Sequence, residues 1–271
     1  MAQQQTDMVA PVRPLARHIE GQGPELVLLH GGFGSWTHWK RNLPALAAGY
    51  RVIAFDLPGF GDSPDFPETL SDEAYFDWVA EAALTAARGP IHLVGFSFGG
   101  SIAAAVAPLL GDRLASLTLV APGSFGKPAP RDVTVKPIRA REGQVIDPIE
   151  NARHNLGQIM FADIASADPE TVELHLHNIN RGRFASRRLS WQDRIESDLA
   201  SVHCPIQFIW GGADRMATPS PYARVERMRA VFPNARFDIV ESAGHWVQYE
   251  FPEAFDAALL SFLASTTGAS A

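Results

Sequence analysis

The chain has few of the features that would tie it to an oxidising compartment, a nucleic acid or a membrane. Its 271 residues include a single cysteine, Cys204, so no internal disulfide can form. The 23 basic residues are outnumbered by 30 acidic ones and form no basic block, which argues against nucleic acid as a partner. No segment approaches the roughly 20 apolar residues of a membrane span, and residues 1–17 hold no apolar run long enough for a signal peptide. We therefore expect a cytoplasmic protein that binds neither membrane nor nucleic acid.

What the chain does contain is apolar material in a regular alternation of two patterns. Hydrophobic residues make up 46% of the sequence, enough for a sizeable buried core. Short runs rich in β-branched residues alternate with longer helical patterns. This alternation predicts an α/β fold with a mostly parallel sheet covered by helices on both faces. The predicted strands are 26–30, 51–56, 91–96, 117–121, 206–210 and 237–240, and the predicted helices between them are 37–47, 72–88, 98–110, 221–231 and 252–263.

One long segment interrupts the alternation. Between residues 121 and 205 no strand pattern occurs, and the helical patterns there cover about 148–161, 169–180 and 191–199. Long connections that are not disordered are usually functional. We therefore predict a helical lid at residues 123–203 and a core domain built from residues 1–122 and 204–271.

A glycine-flanked serine follows one of the predicted strands. Residues 95–99 read Gly-Phe-Ser-Phe-Gly, with Ser97 at the centre and an alanine-rich helix pattern directly after it. A strand, a tight turn and a helix are the context that exposes a nucleophilic serine, and the glycines allow the close approach of turn and helix. We predict that Ser97 is a nucleophile, although the five-residue pattern alone is weak evidence.

A serine hydroxyl needs a base, and the base needs an acid that orients it. Asp214 comes just after the predicted strand at 206–210, and His245 lies in a loop after the strand at 237–240. The order Ser, Asp, His along the chain is typical of one arrangement of this triad. The simpler interpretation of Asp214 is a loop carboxylate that caps the next helix.

The negative oxygen formed by nucleophilic attack needs backbone N–H donors. The N–H of Phe98, directly after the nucleophile, is one candidate. The second should come from the glycine-rich loop at 30–34, from either Gly32 or Phe33, and the sequence does not choose between them. His30 is interpreted as a structural residue of this loop. The remaining histidines lack metal-ligand spacing, so we predict no metal site.

The chain resembles the α/β-hydrolase superfamily over nearly its whole length. Besides the motifs above, residues 56–63 (Asp-Leu-Pro-Gly-Phe-Gly-Asp-Ser) are similar to a structural turn of that superfamily. Residues 244–250 (Gly-His-Trp-Val-Gln-Tyr-Glu) resemble the histidine loop of the meta-cleavage-product hydrolases, which split a carbon–carbon bond. The resemblance implies a helical lid between strands 6 and 7 and no dissociable cofactor. The chain departs from that subfamily at Phe96, where its members usually have asparagine.

Three functions are compatible with these residues. The first is hydrolysis of a carboxylic ester, lactone or thioester through an acyl-enzyme, which we expect because Phe96 can donate no hydrogen bond. The second is carbon–carbon bond hydrolysis of a vinylogous diketo acid, for which Arg181 or Arg183 could clamp a carboxylate unless both belong to a solvated face. The third is a small-molecule receptor that keeps the triad.

The expected ligand is a small molecule with an apolar portion. We predict that it contacts side chains of the lid and of the loops beside the triad. The sequence leaves open the natural substrate and whether two copies form a homodimer. The candidate substrate-binding residues are Trp36, Phe96, Met160, Phe161, Arg181, Arg183, Phe184 and Trp246.

Overall fold

The computed structural model describes residues 13–142 and 144–267, in which seven strands form one sheet in the order β1-β3-β2-β4-β5-β6-β7. β1 pairs with β3 in antiparallel fashion, and every other neighbouring pair in the sheet is parallel. The prediction of a mostly parallel sheet is therefore confirmed. The strands are β1 Arg17–Glu20, β2 Glu25–Leu29, β3 Arg51–Phe55, β4 Ile91–Phe96, β5 Leu114–Val120, β6 Ile206–Gly211 and β7 Arg236–Val240.

Helices cover the sheet and supply the connections between parallel strands. The α-helices are α1 Leu43–Ala47, α2 Asp72–Ala86, α3 Phe98–Leu110, α4 Pro148–Ile159, α5 Pro169–Asn180, α6 Arg187–Ser190, α7 Ile195–Leu199, α8 Pro221–Val231, α9 Val247–Glu250 and α10 Pro252–Thr267. Short 3₁₀ turns occur at Trp36–Trp39, Gly111–Arg113 and Ile164–Ser166. Within the described ranges, no helix is both long enough and apolar enough to cross a bilayer.

The burial of the central strands explains why apolar runs in the sequence predict them. Every residue of β2, β4 and β6 is buried, as expected where helices cover both faces of a parallel sheet. The start of α2 is equally clear, since the Ser71 hydroxyl accepts a hydrogen bond from the Ala74 N–H, with Asp72 and Glu73 in the first turn.

The structure differs from the sequence-based elements at four places. β1 was not predicted, because it is short, polar and mostly exposed. The predicted helix at 37–47 is split into the Trp36–Trp39 turn and α1, and the one at 191–199 begins only at Ile195, after the short α6. The helical insertion follows the fifth described strand and precedes the sixth, rather than lying between the sixth and seventh.

The insertion between β5 and β6 lies over the carboxyl ends of the parallel strands. It is tied to the loops that follow three different strands, so its position is fixed from several sides. The bonds are Ser35 Oγ to Asn178 Oδ1 at 2.9 Å after β2, Arg183 N to Gly59 O at 2.8 Å after β3, and Trp246 N to Met160 O at 2.8 Å after β7. The domain boundaries at 122/123 and 203/204 stay a prediction, and residues 1–12 of the predicted core lie outside the described residues.

Candidate active site

Ser97 occupies a sharp turn between β4 and α3. Its φ of 52° and ψ of -111° are an unusual backbone conformation for a residue with a side chain, and such strain is often found at functional sites. The flanking glycines make the turn sterically feasible. A Cβ on Gly95 would lie 2.2 Å from the Gly99 carbonyl oxygen, and a Cβ on Gly99 would lie 2.4 Å from that of Leu29.

Three side chains from separate loops form a continuous hydrogen-bonded chain. His245 Nε2 lies 2.9 Å from Ser97 Oγ, and His245 Nδ1 lies 2.8 Å from Asp214 Oδ2. The Met216 N–H donates to Asp214 Oδ1 at 2.7 Å, which holds the carboxylate in place. A proton on Nδ1 is required for donation to Asp214, so Nε2 is free to accept the hydroxyl proton of Ser97.

The candidate oxyanion donors lie beside Ser97. A Cβ on Gly31 would lie 3.3 Å from Ser97 Cβ, which places the loop after β2 directly against the serine. Within the described part of the chain, no hydrogen-bond acceptor is paired with the backbone N–H of Phe98, Gly32 or Phe33. The choice between Gly32 and Phe33 stays open, although the positive φ of Phe33, 55°, shows that this loop turns sharply.

The loops beneath the site are held by buried polar groups. His30 donates from Nδ1 to the Gly31 carbonyl at 2.7 Å and accepts from the Leu57 N–H at Nε2, at 2.9 Å. The ring is neutral because Nε2 accepts a hydrogen bond, and burial lowers its pKa. Asp56 accepts from the N–H groups of Trp36 and Asp62, at 2.8 and 2.9 Å. His30 and the turn at 56–63 are thus structural, as interpreted from the sequence.

The predicted apolar contacts pack elsewhere than around Ser97, with one exception. Phe96 is buried, with its ring centroid 5.1 Å from that of His245. Trp246 is buried too, stacks on Phe161 and donates from its indole to the His38 carbonyl. Trp36 stacks on His18. Met160 is buried where the insertion meets Trp246. Phe184 packs in an aromatic cluster formed with Phe60, Phe66, Tyr75 and Phe98.

Arg181 and Arg183 do not approach the serine. Arg181 forms an ion pair with Asp62, and Arg183 forms one with Asp65 while donating to the Ser63 carbonyl at 2.6 Å. All four charged side chains are partly exposed. The solvated interpretation of these two arginines therefore fits the structure better than a carboxylate clamp beside Ser97.

The cavity that contains Ser97 and His245 is lined by a different set of residues. Its volume is about 80 Å³, and it opens to solvent. Arg131 and Arg224 are among its walls, and none of the eight predicted substrate-binding residues is. Sequence reasoning had no signal for these two arginines, because Arg131 lies in an irregular segment and Arg224 in a polar helix without a clear apolar face. The apolar side chains of the wall are Phe125, Trp191, Trp210, Met216 and Ala217.

Glu250 is a further residue that the sequence did not single out. Its carboxylate accepts from the N–H groups of Ala162 and Asp163 at 2.9 Å and from that of Gly244 at 2.6 Å. It therefore joins the insertion to the residue directly before His245. Its position six residues after Gly244, inside the histidine-loop motif, was the available signal.

In residues 13–142 and 144–267, no group of three His, Cys, Asp or Glu side chains is arranged to hold a metal ion.

A strained serine beside a histidine–aspartate pair, at the carboxyl edge of a parallel sheet, defines the class of protein as a hydrolase. Residues 26–258 match the model of the alpha/beta hydrolase family. The chain belongs to this family.

Three known proteins place the chain within the family. It is 32% identical to the 2-hydroxy-6-oxononadienedioate/2-hydroxy-6-oxononatrienedioate hydrolase of Paraburkholderia phymatum, over 90% of this chain and 88% of that one. It is 30% identical to hydrolase 2 of the same name from Pseudomonas putida, over 90% and 89%. A solved structure of the meta-cleavage product hydrolase CumD from Pseudomonas fluorescens aligns with a TM-score of 0.71 and 25% identity, covering 92% of this chain and 93% of that one.

Proposed function

We propose that the protein hydrolyses a carbon–carbon bond next to a ketone in a vinylogous diketo acid, with Ser97 as nucleophile. The observation that carries the proposal is the hydrogen-bonded chain of Asp214, His245 and Ser97 in a protein whose relatives at 30–32% identity, over about nine-tenths of their length, are named for hydrolysis of such compounds. This replaces ester hydrolysis, the function expected from the sequence, as the first candidate.

The dienol form of the substrate first isomerises to its diketo tautomer, in which the enol proton has moved to carbon, and the triad would then act in two stages. His245 takes the proton of the Ser97 hydroxyl, the oxygen attacks the ketone carbon, and the backbone N–H groups near Phe98 stabilise the oxyanion. When the carbon–carbon bond breaks, its electron pair enters the conjugated keto acid, and His245 returns the proton to the leaving carbon. Water then hydrolyses the acyl-serine, with His245 as the base again.

Ester hydrolysis is the second candidate, and two observations favour it. Phe96 is buried beside His245 and can donate nothing to a conjugated oxygen. Arg181 and Arg183 are engaged by Asp62 and Asp65 rather than by the cavity. An ester alkoxide leaves without a conjugated electron sink, so it does not require these polar groups.

The two candidates are separated by a direct comparison of substrates. The kcat/KM for bleaching of the ring-fission dienol 2-hydroxy-6-oxononadienedioate is measured beside that for para-nitrophenyl butyrate. We expect the dienol value to be at least about tenfold larger, which corresponds to about 1.4 kcal/mol in transition-state stabilisation. A larger value for the ester would promote ester hydrolysis, and persistence of either activity in Ser97→Ala would remove Ser97 from the mechanism.

A further inference from the structure

The cavity beside Ser97 contains a buried cation without an anionic partner. Arg224 is only 8% exposed, and its Nε has no hydrogen-bond partner. The one hydrogen bond that its guanidinium makes to the described residues is a long contact of 3.5 Å from Nη1 to the Pro122 carbonyl. The guanidinium stacks on Phe125, with 4.0 Å from Cζ to the ring centroid. Burial lowers its pKa to about 10, so it is still charged at neutral pH.

Arg131 lies on the same cavity and also lacks an anionic partner, since its Nη1 donates to Met216 Sδ at 2.6 Å. No carboxylate of the described residues lies within 4 Å of its guanidinium or of that of Arg224, whereas Arg181, Arg183, Arg188, Arg194 and Arg227 each have such a partner. Besides burial, repulsion from Arg131 helps to lower the pKa of Arg224, and Asp214 raises the pKa of both arginines by attraction. A buried cation beside a second, partly buried one destabilises the fold unless a ligand or a network offsets the charges.

We propose that Arg224 and Arg131 form an anion subsite in the Ser97 cavity and that this subsite binds a carboxylate of the substrate. The proposal rests on the proposed function, because the carboxylate belongs to the molecule that Ser97 attacks. A guanidinium presents its N–H donors in a planar fork that matches a carboxylate, and the unpartnered Nε of Arg224 belongs to that fork. The subsite is separate from Arg181 and Arg183, which face Asp62 and Asp65.

Matched pairs of activated esters test the subsite. One pair is para-nitrophenyl pentanoate and mono-para-nitrophenyl glutarate, in which a carboxylate replaces the terminal methyl group of the acyl chain. The other is para-nitrophenyl acetate and the acetate of a nitrophenol that carries a ring carboxylate. We expect the acidic member of at least one pair to have about tenfold the kcat/KM of its neutral partner.

The preference should depend on the two arginines. In Arg224→Met and Arg131→Met we expect it to fall at least about tenfold, while turnover of the neutral ester changes much less. Arg131 serves as the second variant because Arg224 is buried and its replacement could unfold the chain. The matched control is Arg229→Met, an exposed arginine of the same helix that stacks on Phe237, and it should keep the preference.

A binding measurement separates this inference from the proposed function. Glutarate is titrated calorimetrically into Ser97→Ala, and into Ser97→Ala combined with each arginine substitution. Loss of glutarate binding in the arginine variants supports the subsite even if neither the dienol nor any ester is turned over. Two results overturn it: no glutarate binding to Ser97→Ala, or, where esters are hydrolysed, an acidic preference that the wild type lacks or that both arginine variants keep in full.

Discussion

At the scale of single residues, the site depends on one hydroxyl held in a strained turn. The positive φ of Ser97 directs its side chain towards His245. The close approach of Gly95 and Gly99 and the buried strand β4 hold the turn itself in place. In the proposed mechanism the hydroxyl therefore serves the reaction and contributes little to the core. Removal of the hydroxyl should lower turnover strongly and change the stability of the fold little.

We expect Ser97→Ala and His245→Ala each to lower kcat by about three orders of magnitude or more, and the double variant to lose scarcely more than either one. Groups that act as a unit give strongly non-additive effects. The measurement is kcat on the preferred substrate, with the Tm as the check on folding. Additive losses in the double variant would show that the two residues do not share one step.

Asp214→Asn should lower kcat by about three to four orders of magnitude and change KM little. The carboxylate accepts the Nδ1 proton of His245, whereas an amide in the same place can donate to that nitrogen and favour the wrong tautomer. The matched control is Asp193→Asn, at an exposed ion pair with Arg227, which should keep full turnover. A mild loss in Asp214→Asn would favour the helix-capping interpretation of this residue.

The sequence predicted the residues that chemistry constrains locally and missed those that only packing brings together. Ser97, Asp214 and His245 each follow a strand pattern, so the parallel sheet alone places them at one edge. Arg131 and Arg224 reach the same cavity from an irregular segment and from the side of a helix. No periodicity or motif in the sequence predicts that these two side chains lie at the same cavity.

At the scale of elements, the insertion and the histidine loop are docked to each other on both sides of His245. The Trp246 N–H donates to the Met160 carbonyl, and the Gly244 N–H donates to Glu250, which also holds the N–H groups of Ala162 and Asp163. The ring of Phe161 stacks on Trp246 at a 3° interplanar angle. Movement of the insertion would therefore displace His245.

We expect Glu250→Gln to reduce both the free energy of unfolding, by about 1.5–3 kcal/mol, and kcat per folded molecule. An amide has one acceptor oxygen and would place its NH₂ group against a backbone N–H. Urea unfolding and kcat are the measurements, and Glu253→Gln, an exposed carboxylate at the start of α10, is the control.

Comparison of the loss in unfolding free energy with the loss in kcat shows whether Glu250 positions the histidine loop or only stabilises the fold. Because it acts through the histidine loop, kcat should fall more than KM rises. Lower stability with an unchanged kcat per folded molecule would make Glu250 structural only.

The sequence predicted the strands that are covered by helices on both faces of the sheet, and it missed the exposed edge strand. β2, β4 and β6 are buried throughout and were found as apolar runs, whereas β1 (Arg-His-Ile-Glu) lies at the sheet edge and offers no alternation. The helix predicted at 37–47 was broken by the Trp36–Trp39 turn, whose Ser35 cap was not recognised as a separate start.

At the scale of the whole molecule, buried histidines make stability depend on pH. Burial lowers the pKa of several of them, so in mildly acidic solution the unfolded chain binds more protons than the folded one. Stability contributed by these groups is present above pH 6.5 and is lost as the pH falls. Asp256, whose pKa is raised to about 6 by burial, acts in the opposite sense, since its contribution is lost as the pH rises. The histidines are His30, His38, His92 and His175.

His175 permits the most direct test, because burial lowers its pKa to about 4 from the ordinary 6.5. Between these two values it contributes a difference of up to one proton, so its share of the loss of stability on acidification is roughly 3 kcal/mol at most. We expect His175→Gln to flatten the dependence of the unfolding free energy on pH between about 4 and 6.5, measured by urea unfolding. His177→Gln, at an exposed position of the same helix α5, should leave the slope unchanged. Parallel curves for wild type and His175→Gln would mean that His175 takes up its proton equally in the folded and unfolded chain, and the acid sensitivity would then have to come from the other buried histidines.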